Sequence, residues 1–128
     1  MTPRFIEHAG CRLLLMDFSR ASEPAVTVAR ITEARIFVAA LPKKKDLLTL
    51  VDVTSLRFND EILKAFRELI KHDEPWEHAV AVYGLSGMGA LAFRAQNLLT
   101  GGRMSGFAGR EEALSWLVRK NVNRQGQH

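Results

Sequence analysis

Four apolar runs of strand length alternate along the chain with segments of helical periodicity, and this alternation leaves few architectures open. The runs are nearly continuous in apolar residues, which is typical of strands covered on both faces. They lie at residues 11–19, 47–54, 79–83 and 104–108, and a shorter strand at 5–8 precedes them across an Ala9-Gly10 turn. Strands alternating with helices indicate parallel neighbours joined by right-handed crossovers. The prediction is an α/β fold with a mostly parallel sheet of four to five strands and about four helices.

The segments between the runs carry helix start and stop signals. Ser22, Glu23 and Pro24 predict the start of a first helix, which Pro42 stops after about Leu41. Its helical spacing is carried by Val26, Ala29, Glu33, Phe37 and Ala40.

The later helices are read in the same way. Asn59 predicts the N-cap of a second helix. The apolar stripe of this helix includes Ile62, Phe66 and Leu69. Pro75 ends that unit, and we expect the neighbouring Trp76 to be partly exposed. A third helix follows the glycine-rich turn at residues 84–89 and closes at residues 101–102, and a fourth begins at Arg110. Residues 121–128 are expected to form a frayed polar tail.

Composition narrows the class of protein. The 128 residues fit one domain, with an ordered core expected at residues 5–120, and the single Cys11 excludes an internal disulfide. No signal-peptide core and no run of about 20 apolar residues is present, so we expect a cytoplasmic protein without a transmembrane segment. The net charge of +4 is mild, and the basic residues are not interleaved with exposed aromatic residues. We therefore expect no nucleic-acid partner. The four histidines show no metal-binding spacing, and neither a metal nor a cofactor is expected.

Four segments, in this order and spacing, carry a family resemblance. They read Leu-Leu-Met-Asp-Phe-Ser at residues 14–19, Leu-Thr-Leu-Val-Asp-Val-Thr at 48–54, Val-Tyr-Gly-Leu-Ser-Gly at 82–87 and Arg-Glu-Glu-Ala-Leu-Ser-Trp-Leu at 110–117. Together they resemble the bacterial SpoIIAA-like family, which groups with STAS domains and more remotely with CRAL–TRIO lipid-carrier domains. The resemblance covers about residues 5–120. It implies a STAS-like fold and binding of small apolar ligands, with peripheral membrane contact as a further option.

The same resemblance raises an alternative function. Sporulation-type STAS antagonists carry a phosphorylatable serine at the start of the helix after the second long strand. Here that turn reads Phe58-Asn59-Asp60-Glu61 without a hydroxyl, and Thr54 and Ser55 lie upstream as poor substitutes. The alternative is therefore a protein-interaction module that lacks this switch. Its partner would contact Phe58, Asn59, Asp60, Ile62 and Phe66.

Polar side chains cluster where the strands end. Asp17, Asp52 and Tyr83 lie at or near three strand ends, and Thr54 and Ser55 lie just beyond. In open α/β sheets, ligands bind outside the carboxyl ends of the strands. Two aspartates there can do acid–base work or hold a hard cation, which leaves a hydrolase or metal enzyme as a third option. Equally, they can close turns by accepting backbone N–H groups.

The glycine-rich turn Gly-Leu-Ser-Gly-Met-Gly at residues 84–89 fits neither a nucleophile elbow, a dinucleotide fingerprint nor a phosphate loop. It leaves a helix N-terminus that can receive an anionic group, or a serine that caps the helix. We expect a non-enzymatic module that forms a homodimer and holds a small apolar or amphipathic ligand against the third helix. The ligand contacts would come from Ser86, Gly87, Met88 and Leu91, in addition to the strand-end residues.

Overall fold

The computed structural model describes residues 3–21, 23–99 and 102–125, and in them five strands form one sheet in the order β1-β2-β3-β4-β5. The first strand pairs antiparallel with the second, and the other three pairings are parallel. The bounds are β1 Arg4–His8, β2 Cys11–Asp17, β3 Leu47–Asp52, β4 Glu77–Tyr83 and β5 Met104–Phe107. The predicted α/β class with a mostly parallel sheet is confirmed.

Four helices cover the two faces of this sheet unequally. They are α1 Pro24–Ala39, α2 Asp60–Asp73, α3 Gly87–Ala95 and α4 Arg110–Gln125. Side chains of α1, α2 and α3 share one core with Met16, Val51 and Val82. Those of α4 share a second core with Leu15 and Leu50. Because successive strand residues point to opposite faces, the run Leu13–Met16 feeds both cores, and all four side chains are buried as predicted.

Packing sets the orientation of α1. The stripe that starts at Val26 and Ala29 does not face the sheet, because the buried residues of this helix are Thr27, Ile31, Ala34 and Val38. Apolar residues lie almost all around α1, so its sequence does not select one face. Packing on the sheet and against α2 makes that choice. The stripe of α2 is less ambiguous, and its predicted residues Ile62, Phe66 and Leu69 are buried.

Three helix ends also differ from the prediction. The first helix ends at Ala39, and its N-cap is Glu23, while the expected cap Ser22 lies outside the described residues. The third helix ends at Ala95 rather than near residue 101. Asn97 adopts the left-handed conformation there (φ 56°), and Leu98 N donates to the Phe93 carbonyl at 3.0 Å. This C-terminal motif satisfies the last carbonyls without a glycine.

The fourth helix continues to Gln125, through five of the residues expected to form a tail. Asn121 is buried there and donates from Nδ2 to Cys11 Sγ at 3.3 Å. A polar composition did not prevent this segment from folding, because one side chain of it finds a partner at the start of β2.

A bulge at the start of β4 changes which side chains face the helices. Leu47 pairs with Glu77 but Leu48 pairs with Ala79, so His78 is an extra residue in the strand. Glu77 consequently shares the sheet face of Leu47, on the side of α2. The preceding Trp76 is 6% exposed, and its Nε1 donates to the Leu41 carbonyl at 2.8 Å. The predicted exposure of Trp76 is therefore wrong.

Within the described ranges, none of the helices combines the length and apolar character that crossing a membrane requires.

Candidate functional site

Side chains from four strands align at the carboxyl edge of the sheet. The register pairs Asp17 with Asp52, Asp52 with Tyr83, and Tyr83 with Phe107. The four residues thus form a row across β2, β3, β4 and β5, on the face covered by α4. The prediction that the three polar strand-end residues lie at one edge holds, and the row is called the carboxyl-edge row below.

The aspartates of this row close turns. Ser19 donates its backbone N–H and its hydroxyl to Asp17 Oδ1 at 2.9 and 2.6 Å. Thr54 N donates to Asp52 Oδ1 at 2.9 Å. Burial acts to raise the pKa of Asp17, but the hydrogen bonds from Ser19 outweigh it and hold that pKa below its ordinary value. Asp17 is thus stabilised as an anion, which is the state a turn-closing carboxylate needs.

Tyr83 connects the row to α4. Its hydroxyl donates to Asp52 Oδ2 at 2.9 Å and accepts from Arg110 Nη1 at 3.1 Å. Burial raises the pKa of Tyr83, so the phenol stays protonated as this pair of contacts requires. Both oxygens of Asp52 are therefore engaged within the protein.

Close packing fills the crevice beyond β3 and β4. Gly84 has a φ of 89°, and a Cβ at this position would lie 2.6 Å from Thr54 N. Ser55, next to Thr54, is exposed, and its backbone adopts the left-handed conformation with a φ of 60°. The backbones at Thr54 and Gly84 are therefore in close contact.

The remaining predicted ligand contacts lie on the other side of the sheet. Ser86 and Gly87 are exposed at the start of α3, and the Ser86 side chain makes no capping hydrogen bond. Leu91 is 60% exposed on the outer face of α3, and the Met88 side chain lies outside the described part. The structure thus divides the predicted ligand set between two faces of the sheet.

The space beneath α3 is small. A cavity of about 20 Å³ lies between Phe93 of α3, Phe66 and Leu69 of α2 and the sheet residues Val80 and Val82. A volume of this size holds about one water molecule. An amphipathic ligand held between α3 and the sheet would have to displace core side chains.

Two acidic residues line the same cavity. Asp73 at the end of α2 and Glu77 at the start of β4 are both buried. His72 Nδ1 lies 2.6 Å from Asp73 Oδ1, and Arg103 Nε lies 3.9 Å from Glu77 Oε1. Burial raises the pKa of Glu77 to about 8, and the Asp73 carboxyl acts in the same direction. Sequence reasoning missed this pair, because the bulge that turns Glu77 inward leaves no periodic signal.

The turn predicted to meet a protein partner is largely internal. Asn59 caps α2 as predicted, since its side chain accepts from Ile62 N at 2.8 Å. Ile62 and Phe66 are buried core residues, and Phe58 packs edge-to-face on Phe93 with ring centroids 4.9 Å apart. Of the predicted contact set, only Asn59 and Asp60 are well exposed. Burial in the core thus removes Ile62 and Phe66 from any partner surface in this conformation.

An open cleft lies at the opposite, amino edge of the parallel strands. It has a volume of about 410 Å³, and we call it the amino-edge cleft. It is bounded by the β1–β2 turn, by the loop between α1 and β3, and by Asn121 of α4. Among the described residues, its lining includes Phe5, Gly10, Cys11, Arg12, Leu41, Pro42, Lys44, Asp46, Leu47, Leu48, Trp76 and Asn121.

Stacked side chains hold the walls of this cleft. The Arg12 guanidinium lies 3.8 Å from the centre of the Phe5 ring. Lys43 Nζ lies 4.9 Å from the Trp76 ring, and His72 stacks on the same indole at 5.1 Å and 19°. The cleft therefore combines apolar and aromatic walls with a positively charged rim. Two sequence features lie at this cleft, the lysine run that follows Pro42 and Trp76, and neither belongs to a periodic pattern.

Comparisons of the chain with protein-family models, with curated proteins and with solved structures gave no match.

Proposed function

We propose that this chain is a non-enzymatic binding module for a small amphipathic anion, which it holds in the amino-edge cleft. The observation that carries the proposal is the cleft itself. Its volume of about 410 Å³ lies within the range of roughly 300–1,000 Å³ that is usual for small-molecule sites. A module of this kind needs an apolar surface for the ligand body and a fixed charge for its head.

The lining of the amino-edge cleft supplies both the apolar surface and the charge. Leu41, Pro42 and Leu47 supply apolar surface next to the Phe5 ring. Arg12 and Lys44 contribute positive charge against the single acid Asp46 of the described lining. A ligand with a carboxylate, sulfonate or phosphate head and an apolar body has the complementary chemistry.

Another groove, of about 420 Å³, fits this ligand class less well. Arg67, Lys71 and Arg103 make it positive, but no aromatic side chain lines its described part. Arg103 there is engaged with Glu74 at 3.3 Å and with the Ile70 carbonyl at 3.2 Å. The amino-edge cleft is therefore the better candidate for an amphipathic ligand.

The proposal is for binding without catalysis because the predicted acid–base candidates take part in hydrogen bonds that hold their own turns. Asp17 and Asp52 accept N–H groups of their own turns, and the Tyr83 hydroxyl takes the second oxygen of Asp52. A carboxylate that serves a reaction needs a lone pair directed at the substrate.

A STAS-like, SpoIIAA-like identity is part of the same proposal. Its support is the element order. One antiparallel edge strand is followed by four parallel strands, and a helix lies in each crossover between successive parallel strands. A cytoplasmic location accompanies this identity.

The experiment is a titration of isotopically labelled protein with octanoate, followed by amide chemical shifts. We expect the largest shifts at residues 10–12, 41–48 and 76. Lys44→Glu should weaken binding about tenfold. The substitution replaces an attraction to the anionic head of roughly 0.5–1 kcal/mol with a repulsion of about the same size. Lys64→Glu, on the exposed face of α2, is the matched control and should bind as the parent does. Shifts confined to residues 86–95, or equal effects of the two charge reversals, would rule out the cleft.

A further inference from the structure

One flank of α1 faces away from α2 and lies beside β1, which is an end strand of the sheet in the described part of the chain. The other flank faces α2, since Val28 and Arg35 line a groove together with Ala65 and Glu68 of that helix. Phe37 contacts Phe5 of β1, with ring centroids 5.8 Å apart. The flank that includes Phe37 therefore lies over β1, the end strand of the sheet.

Four side chains form a stripe along this flank. They are Val26, Arg30, Glu33 and Phe37, at successive spacings of four, three and four residues. Val26 is 38% exposed, and Glu33 is also exposed. The stripe thus presents an apolar residue at each end and opposite charges in the middle.

We infer that this flank of α1, together with the free edge of β1, docks a second copy of the chain with the two α1 helices antiparallel. A two-fold axis that passes between the two helices, level with the midpoint of Ile31 and Thr32, places Val26 of each copy against Phe37 of the other. The same axis places Arg30 of each copy against Glu33 of the other, so the pair of opposite charges occurs twice. Interfaces with two-fold symmetry require such self-complementarity.

The order of the charges selects the antiparallel arrangement. Parallel helices would place Arg30 beside Arg30 and Glu33 beside Glu33, and like charges in contact are unfavourable. Arg30 is also held in position, since its Nη1 donates to the Ser19 carbonyl at 3.0 Å. The guanidinium keeps further N–H donors for a carboxylate of the second copy.

The β1 edge is needed to complete the surface. One helix flank is small compared with the roughly 800 Å² per partner of a stable interface. An end strand presents unpaired backbone N–H and C=O groups that a second strand can satisfy. With both elements we expect a dimer with a dissociation constant in roughly the micromolar range.

Sedimentation equilibrium over a concentration series tests the inference. Arg30→Glu and Glu33→Arg should each weaken self-association about tenfold or more, because each creates two like-charge contacts across the axis. An equimolar mixture of the two variants should associate within about threefold of the parent, because both contacts then join opposite charges. Lys64→Glu on α2 is the control and should leave the dissociation constant unchanged.

The mixture separates docking from damage to the fold. A variant that merely destabilised the chain, for example through loss of the Arg30 contact to Ser19, would not recover when mixed. Val26→Lys should also weaken association, whereas Val122→Lys, at a 59% exposed position on α4, should not. A parent chain that stays monomeric at about 1 mM, variants that associate like the parent, or a mixture that stays monomeric would overturn the inference.

Discussion

Glu77 Oε1 lies 3.9 Å from Arg103 Nε, beyond hydrogen-bond distance, while the Glu77 side chain is buried beside the carboxyl of Asp73. The two acids share one small cavity at the junction of α2 and β4. A buried carboxyl with so weak a cationic partner is held mainly in its protonated form. This relationship makes the stability of the fold depend on pH.

The first prediction concerns that dependence. Burial raises the pKa of Glu77 from 4.5 to about 8, so the folded chain keeps a proton that the unfolded chain releases above pH 4.5. The stabilising effect of this proton is complete below pH 4.5 and is lost as the pH rises to about 8. Thermal unfolding followed by circular dichroism should show a Tm that falls across this window.

Glu77→Gln is the control for that measurement. The amide has no proton to release, so the decline in Tm between pH 5 and pH 8 should become shallower than in the parent chain. Asp73, whose pKa burial raises to about 6 in the parent chain, remains in the variant. Parallel Tm profiles of parent and variant would show that Glu77 does not carry the dependence.

The second prediction compares two apolar residues of α3. Phe93 is buried against Phe58 and Phe66, whereas Leu91 is mostly exposed two residues earlier. Phe93→Ala should cost about 3–5 kcal/mol through lost contacts and a new cavity. Leu91→Ala should stay within about 0.5 kcal/mol of the parent in urea unfolding. Similar losses for both variants would contradict the orientation of α3.

The third prediction tests the orientation of α1. Ile31 is buried against the sheet, and Ile36 is 65% exposed on the same helix. Ile31→Ala should cost about 2–5 kcal/mol, and Ile36→Ala should change stability by at most about 0.5 kcal/mol. Urea unfolding at low protein concentration measures both. The reverse ranking would contradict this orientation of α1.

The fourth prediction concerns two glycines with left-handed backbones. Gly84→Ala should destabilise the fold by more than about 2 kcal/mol, because a Cβ would approach Thr54 backbone atoms to 2.6 and 2.8 Å. Gly10→Ala, at a φ of 77° in the β1–β2 turn, meets nothing within 4 Å and should cost about 1 kcal/mol. Chemical denaturation of both variants checks the ranking, and equal losses would exclude the close approach at Gly84.

Much of the fold follows from local patterns. The run from Leu13 to Met16 indicated a strand buried on both faces, and the caps and apolar stripes located α2 and α4. Asp17 and Asp52 could be assigned to one edge because parallel strands bring their carboxyl ends together. Their role in turns was one of two predicted alternatives, and the hydrogen bonds to Ser19 and Thr54 match that alternative.

The cleft could not be predicted in the same way. Phe5, Arg12, Lys44 and Trp76 come from four separate parts of the chain, and no periodicity links them. Trp76 is buried because its indole N–H reaches the Leu41 carbonyl, which lies 35 residues earlier. A contact of that range depends on how α1 and β3 are placed around the sheet.

The strands, the helices and their order follow from local signals, because backbone propensity, capping and short-range periodicity act over a few neighbouring residues. The face that α1 turns to the sheet, the inward direction of Glu77 and the cleft at the amino edge arise from long-range packing. Each of these depends on side chains that are distant in sequence and share one packed volume. Competition for that volume, rather than local preference, sets which of them are buried.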